Sequence, residues 1–224
     1  MNNTNNNSQR KYALIAGFSL LAMTIAAIFA NFYVFESLVV QEDAITTANN
    51  ISAESGKFLL GIFAFAFIII LDFVVAWALY IFFKPVHQKL SLITAGLRII
   101  YGVIFAFALL CLMNVLQILN GANLVVDTEL STQVMSFINA FSSTWDFGII
   151  FFGLHLVLLG YLVFKSGYIH KLFGVLLIIA GLGYLVDIFG KFILPNYVIE
   201  IAMFTFIGEL LFMLWLLIKG GKAR

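Results

Sequence analysis

The chain has 224 residues, 63% of them hydrophobic and 10% charged, with a mean hydropathy of +1.08 and a formal net charge of +1. Soluble domains are roughly 45–50% apolar and about 25% charged, so this chain lacks the polar surface a soluble fold needs and reads as an integral membrane protein. The near-neutral charge leaves no footprint for nucleic acid, the single Cys111 excludes an intrachain disulfide, and two prolines among abundant Leu, Ile, Phe and Ala favour helices over barrel strands.

The first eleven residues, "MNNTNNNSQRK", are polar and of low complexity, and are expected to form a tail without fold (1–11). Crossing a bilayer takes roughly 20 apolar residues. Six segments meet or approach that length: Tyr12–Phe35, Phe58–Phe83, Leu90–Leu119, Thr144–Phe164, Leu172–Gly190 and Ile201–Ile218. The first exceeds a signal-peptide core of roughly 7–15 residues and reads as a retained helix. The expectation is one all-α polytopic domain over 12–218 with six transmembrane helices, followed by a short tail, 219–224.

Basic residues near span ends set orientation, because cytoplasmic loops carry the excess of Lys and Arg. Arg10, Lys11, Lys84, Lys89, Lys165, Lys171, Lys219, Lys222 and Arg224 all fall on one side, with no acidic residue. Lys57 and Lys191 share the other side with Glu36, Glu42, Asp43, Glu54, Asp127, Glu129 and Glu200. Both termini are therefore expected in the cytoplasm, and the protein in the cytoplasmic membrane, with the lipid bilayer as its partner. The outer connections, 36–57 and 120–143, are long enough for short surface helices, whereas "KFILPNY" is tight. The inner ones, "KPVHQK" and "KSGYIHK", are short and make their flanking helices antiparallel neighbours.

Ionisable residues inside spans cost about 3 kcal/mol each on insertion scales and face protein or water. At a rise of about 1.5 Å per residue, Asp72 lies roughly 18 Å from Lys84, Arg98 roughly 13 Å from Lys89, and His155 and Glu209 roughly 15 Å from Lys165 and Lys219. The hydrocarbon core is about 30 Å thick, so four helices each place one such group near the midplane. Asp146 and Asp187 come out roughly 24–28 Å from the inner lysines, near the outer interface, with Lys191 one turn beyond Asp187. Small residues at helical spacing, such as Ala180, Gly183, Asp187 and Gly190, mark faces where helices approach closely. Ser91, Thr94, Ala95, Arg98 and Gly102 form another such face. His155 lies nine residues after Asp146, half a turn around the helix, so that helix packs on two sides or lies centrally.

Three readings follow. In the structural or accessory reading, Asp72, Arg98, His155 and Glu209 pair as a buried layer that fixes helix register. In the transport reading they converge on a wet site for a proton, ion or small solute. In the enzyme reading, Asp146 and Asp187 form a carboxylate pair at the outer face. No H-E-x-x-H, P-loop or G-x-S-x-G occurs. The three histidines, His87, His155 and His170, lie too far apart in depth to build a metal or haem site. Neither catalytic residues nor a cofactor is expected.

The blocks "LDFVVAWALYIFFKPV", "WDFGIIFFGLHLVLLGYLVFKSGYI", "GVLLIIAGLGYLVD" and "FIGELLFMLWLLIKG" resemble the prokaryotic membrane family called domain of unknown function 4386. The likeness covers nearly the whole chain after the asparagine tail and implies a six-helix inner-membrane protein without an assigned activity. Asp72, Arg98, Trp145, Asp146, His155, Asp187 and Glu209 fall within family-like blocks. His170 departs from the proline that the resemblance implies after "KSGYI", and Asn or a similar residue is implied at His87.

Overall fold

The computed structural model describes residues 2–121, 127–194 and 197–220. Among them every regular element is helical, and no strand occurs. Helix α1, Asn2–Ile28, continues through a π-helical stretch, Phe29–Phe35, into the short α2, Glu36–Leu38. There follow α3 (Ala44–Ala53), α4 (Ser55–Gly121), α5 (Thr128–Lys165), α6 (Lys171–Ile193), α7 (Ala202–Thr205) and α8 (Ile207–Ile218). Gln9–Leu38, Ser55–Asn120, Thr128–Lys165 and Lys171–Ile193 are long and apolar enough to cross a membrane, and Ala202–Ile218 is a shorter apolar helix.

At 67 residues, α4 would be about 100 Å long if straight. It is not straight: Pro85 removes a backbone donor, and His87 takes extended angles (φ −161°, ψ 97°). The break falls inside "KPVHQK" and divides α4 into two arms that match two of the expected spans. Two boundaries differ from the sequence reading. Helix α1 starts at Asn2, because adding residues to an established helix gains a hydrogen bond each without a new nucleus. The connection 36–57 holds α2 and α3, as its length allows. In 120–143, by contrast, no separate surface helix forms among the described residues: α5 starts at Thr128, where the Asp127 side chain accepts the Leu130 N–H at 2.8 Å, and meets no breaker before Lys165. Residues 122–126 of that connection, Pro195 and Asn196 of the tight one, and 221–224 of the C-terminal tail lie outside the described residues.

The chain groups into two compact units. The first comprises Met1–Leu21, Leu71–Gly102 and Asp146–Arg224. In it α5 crosses α6 backbone to backbone: a Cβ on Gly160 would lie 2.5 Å from the Gly174 carbonyl oxygen, and one on Gly181 2.6 Å from that of Gly153. Any side chain at these positions would push the helices apart. Phe82, Phe83 and Phe212 are fully buried in this unit. The Arg10 guanidinium closes the end of α8, donating to the carbonyls of Leu216 (3.1 Å), Leu217 (2.6 Å) and Gly220 (2.8 Å), which have no partner further along a helix.

The second unit comprises Ala22–Ile70 and Val103–Trp145. Its core is aromatic: Phe35 stacks on Phe141 with centroids 5.6 Å apart, Phe105 on Trp145 at 5.2 Å, and Phe65 touches both pairs. In both units, large apolar side chains on the helices stay exposed, among them Ile70 at 61%, Phe107 at 64% and Ile218 at 63%. Surface of this extent is what hydrocarbon covers and water does not tolerate.

Candidate functional site

All six ionisable residues singled out from the sequence lie in the first unit. The turn at His87 folds the two arms of α4 back to back, and the Ser91 hydroxyl ties them by donating to the Tyr80 carbonyl at 2.9 Å. This brings Asp72 on the first arm against Arg98 on the second. Arg98 Nη2 lies 2.7 Å from Asp72 Oδ1, and their side chains are 3% and 0% exposed. Ser91, Thr94 and Ala95 are buried on the same face as Arg98.

His155 on α5 completes the junction. Its Nδ1 lies 2.8 Å from the Thr94 carbonyl oxygen, which can only accept, so Nδ1 carries the proton. The bare Nε2 then accepts from Arg98 Nη1 at 3.3 Å. The imidazole is thus a neutral acceptor for a guanidinium, and a protonated ring would set N–H against N–H. Phe152, one turn before His155, lies under the guanidinium at 5.4 Å from Cζ and stacks with the imidazole at 6.0 Å. Tyr101 and Tyr184 pack against Phe152 at 5.0 and 5.4 Å. Beside His155 the space between Leu79, Ser91, Thr94 and Leu159 has no room for a water molecule.

Glu209, in the first turn of α8, joins through Tyr184, whose hydroxyl hydrogen-bonds its carboxylate. It also lies within electrostatic reach of Arg98 and Asp72. The structure therefore brings Asp72, Arg98 and His155 into direct contact and holds Glu209 by way of an aromatic residue. Two buried carboxylate oxygens, Asp72 Oδ2 and Glu209 Oε1, have no hydrogen-bond partner among the described residues.

Asp146 and Asp187 have separate partners. Asp146 takes the Lys191 ammonium at 3.3 Å, in a pair whose side chains are 31% and 44% exposed. Asp187 is buried and accepts three bonds: from the Tyr197 hydroxyl (2.7 Å), the Ile201 N–H (2.9 Å) and the Ala202 N–H (2.7 Å). Its carboxylate thereby satisfies the backbone where α7 begins, and its hydrogen bond holds the Tyr197 phenol above its ordinary pKa. With three donors on Asp187, Lys191 turns instead to Asp146, although Asp187 is nearer in sequence. The small face of α6 serves the same junction, with Gly183 against Thr205 and Gly190 against the Tyr197 ring. Helix α5 packs on both sides: His155 meets α4, and Gly153 and Gly160 meet α6.

Sequence reasoning missed two groups. Tyr184 and Phe152 complete the cluster, but an aromatic inside an apolar run carries no polar signal. His87 and His170 both start helices: Nδ1 of His87 accepts the Leu90 N–H at 3.1 Å, and Nδ1 of His170 accepts the Leu172 N–H at 3.3 Å. Their place just before an apolar periodic run is a readable cap signal. Among the described residues no three His, Cys, Asp or Glu side chains gather as metal ligands.

A family model described as "Domain of unknown function (DUF4386)" matches residues 15–220. An "Uncharacterized protein" of Archaeoglobus fulgidus is 42% identical over 164 residues, 73% of this chain and 84% of that relative. No solved structure matches.

Proposed function

The chain belongs to the DUF4386 family, and we propose that it is a six-span protein of the cytoplasmic membrane, both termini inside, with a structural or accessory role. In this reading the Asp72–Arg98–His155 junction is a clasp near the bilayer midplane, and Glu209 is bound to it through Tyr184. One observation carries the proposal: the only charged donor of the junction is engaged by Asp72 at 2.7 Å and by a neutral imidazole at 3.3 Å, with no room for water beside that ring. A solute path needs a wet, accessible site, and the absence of room for water beside His155 speaks against one there. The count of basic residues supports the orientation. The two arms of α4, together with α1, α5, α6 and the α7–α8 stretch, supply six apolar segments.

Thermal unfolding midpoints in detergent test the reading. Arg98→Gln, His155→Ala and Glu209→Gln should each lower the midpoint by several degrees. A second reading, proton- or cation-coupled transport, rests on the two partnerless oxygens, Asp72 Oδ2 and Glu209 Oε1. Two carboxylates face one guanidinium, so the cluster has a place for one more positive charge. Under that reading Glu209→Gln removes the surplus charge and leaves the midpoint unchanged or raised, whereas the structural reading requires a loss. The enzyme reading loses support from the separate engagement of Asp146 by Lys191 and Asp187 by backbone.

A further inference from the structure

A second place in the molecule is shaped to hold something. In the second unit a cavity of about 390 Å³ opens between the α1–α3 turn and α5. Phe35, Val39, Met135 and Ile138 give it an apolar wall, while Glu36, Gln41, Glu42, Asn139 and Ser142 supply polar groups. Its volume falls in the roughly 300–1,000 Å³ range of small-molecule sites. Among the described residues no Lys, Arg or His lines it.

The walls are built rather than incidental. Met135, Ile138, Asn139 and Ser142 recur at three and four along α5 and so present one face. The opposite wall is a turn fixed from beneath. The buried Thr47 hydroxyl accepts the Val40 N–H at 2.9 Å and donates to the Val40 carbonyl at 3.1 Å, and Asn50 Nδ2 donates to the Leu38 carbonyl at 3.2 Å. Glu42, within that turn, sits in the left-handed region at φ 64°, a conformation that a residue with a Cβ adopts at a cost. The π-helical end of α1 sets Phe35 and Glu36 at the near side. Neither the Glu36 nor the Glu42 carboxylate has a hydrogen-bond or ion-pair partner among the described residues.

We propose that this cavity binds a small organic ammonium ion, its charged head between Glu36 and Glu42 and its apolar body against Phe35, Val39, Met135 and Ile138. Charge complementarity selects the sign, since among the described residues two unpaired carboxylates and no base line the site. Size and lining select an organic cation over a metal ion. A Ca²⁺ ion takes about 6–8 oxygens at roughly 2.3–2.6 Å, and would leave the apolar wall and most of the volume unused. Gln41, Asn139 and Ser142 offer neutral acceptors for the remaining ammonium N–H groups. The head group has two sources, a free amine or the ethanolamine head of a lipid, and the chemistry is the same for both. This site is independent of the clasp.

The test uses the full chain in neutral detergent, with benzylammonium as probe and benzyl alcohol as the uncharged analogue of the same shape, read by calorimetry or ligand-detected NMR. Benzylammonium binds and benzyl alcohol binds at least about threefold more weakly. Glu36→Gln and Glu42→Gln each weaken benzylammonium about threefold and together about tenfold, the scale of exposed charge pairs. Ser142→Phe, which fills the cavity without touching its charges, abolishes binding of both probes. Equal binding of charged and uncharged probes, or binding that survives both the double Gln variant and Ser142→Phe, overturns the proposal. Repeating the titration in phosphatidylcholine nanodiscs with and without phosphatidylethanolamine assigns the source. Competition by the aminolipid supports a lipid head group at the site, and its absence supports a free amine.

Discussion

Replacing Arg98 with Met removes the one cation of the clasp and keeps most of the side-chain volume. The Asp72 carboxylate is then left at 0% exposure without its partner 2.7 Å away, while Glu209 adds a second negative charge to the same region. Breaking a buried pair from one side costs about 3–5 kcal/mol, because the remaining charge is uncompensated. At about 2–4 °C per kcal/mol for a chain of this size, the unfolding midpoint should fall by about 6–20 °C. Asp72→Leu should cost less, because Arg98 keeps the electrostatic company of Glu209 and the acceptor Nε2 of His155. The double variant Arg98→Met, Asp72→Leu replaces the pair by apolar volume and should recover most of the loss, since such replacements are often neutral. Circular dichroism or intrinsic fluorescence of the purified chain, run as a four-member cycle, measures the coupling. A loss for Arg98→Met within about 2 °C of the parent, or single losses that simply add in the double variant, would refute the reasoning.

Asp187→Ala removes the acceptor for two backbone donors, at about 1–3 kcal/mol per group left unsatisfied, so amide exchange at Ile201 and Ala202 should accelerate by an order of magnitude or more. In Asp187→Asn the Tyr197 phenol should titrate at lower pH than in the parent: its raised pKa reflects a bond that favours the protonated form, present below the ordinary tyrosine range and lost as pH rises through the folded value. Arg10→Ala leaves the Leu216, Leu217 and Gly220 carbonyls without their donor. It should cost about 1.5–3 kcal/mol, the scale of hydrogen bonds to a charged group, with Arg10→Lys recovering part in the same melting assay. At the start of α3, bonds from the Thr46 hydroxyl and N–H hold the Asp43 carboxyl below its ordinary pKa. That cap is complete above the unfolded value of about 3.9 and is lost as pH falls through the lower folded value. The Thr46 amide shift should accordingly stay constant down to about pH 4 and move only below it.

The contact among Asp72, Arg98 and His155 was legible in outline because two simple rules act on charged residues in an apolar chain. Distance from the flanking lysine gives depth, and a 3.6-residue period gives the face; Ser91, Thr94 and Arg98 obey both. The manner in which Glu209 is held was not legible, since it runs through the Tyr184 hydroxyl, and tyrosine in a membrane segment serves interfaces and packing as often as hydrogen bonds. Asp146 and Asp187 show where depth alone misleads. Asp146 and Asp187 come out at similar depth, yet the side chain each meets depends on rotation about the helix and on the path of the chain after Gly190. That path brings the Ile201 and Ala202 backbone onto Asp187. The left-handed Glu42 and the cavity beside it depend on the shape of a turn, which has no periodic signal to betray it.

The most direct test of the clasp is solid-state NMR of the chain in lipid bilayers with ¹⁵N- and ¹³C-labelled histidine, reading the His155 ring for its tautomer and for magnetisation transfer from water. The account predicts a neutral Nδ1–H ring coupled to Arg98 and silent to water. An Nε2–H or doubly protonated ring, or strong transfer from water, would contradict it and place water beside the ring where the structure leaves no room for it.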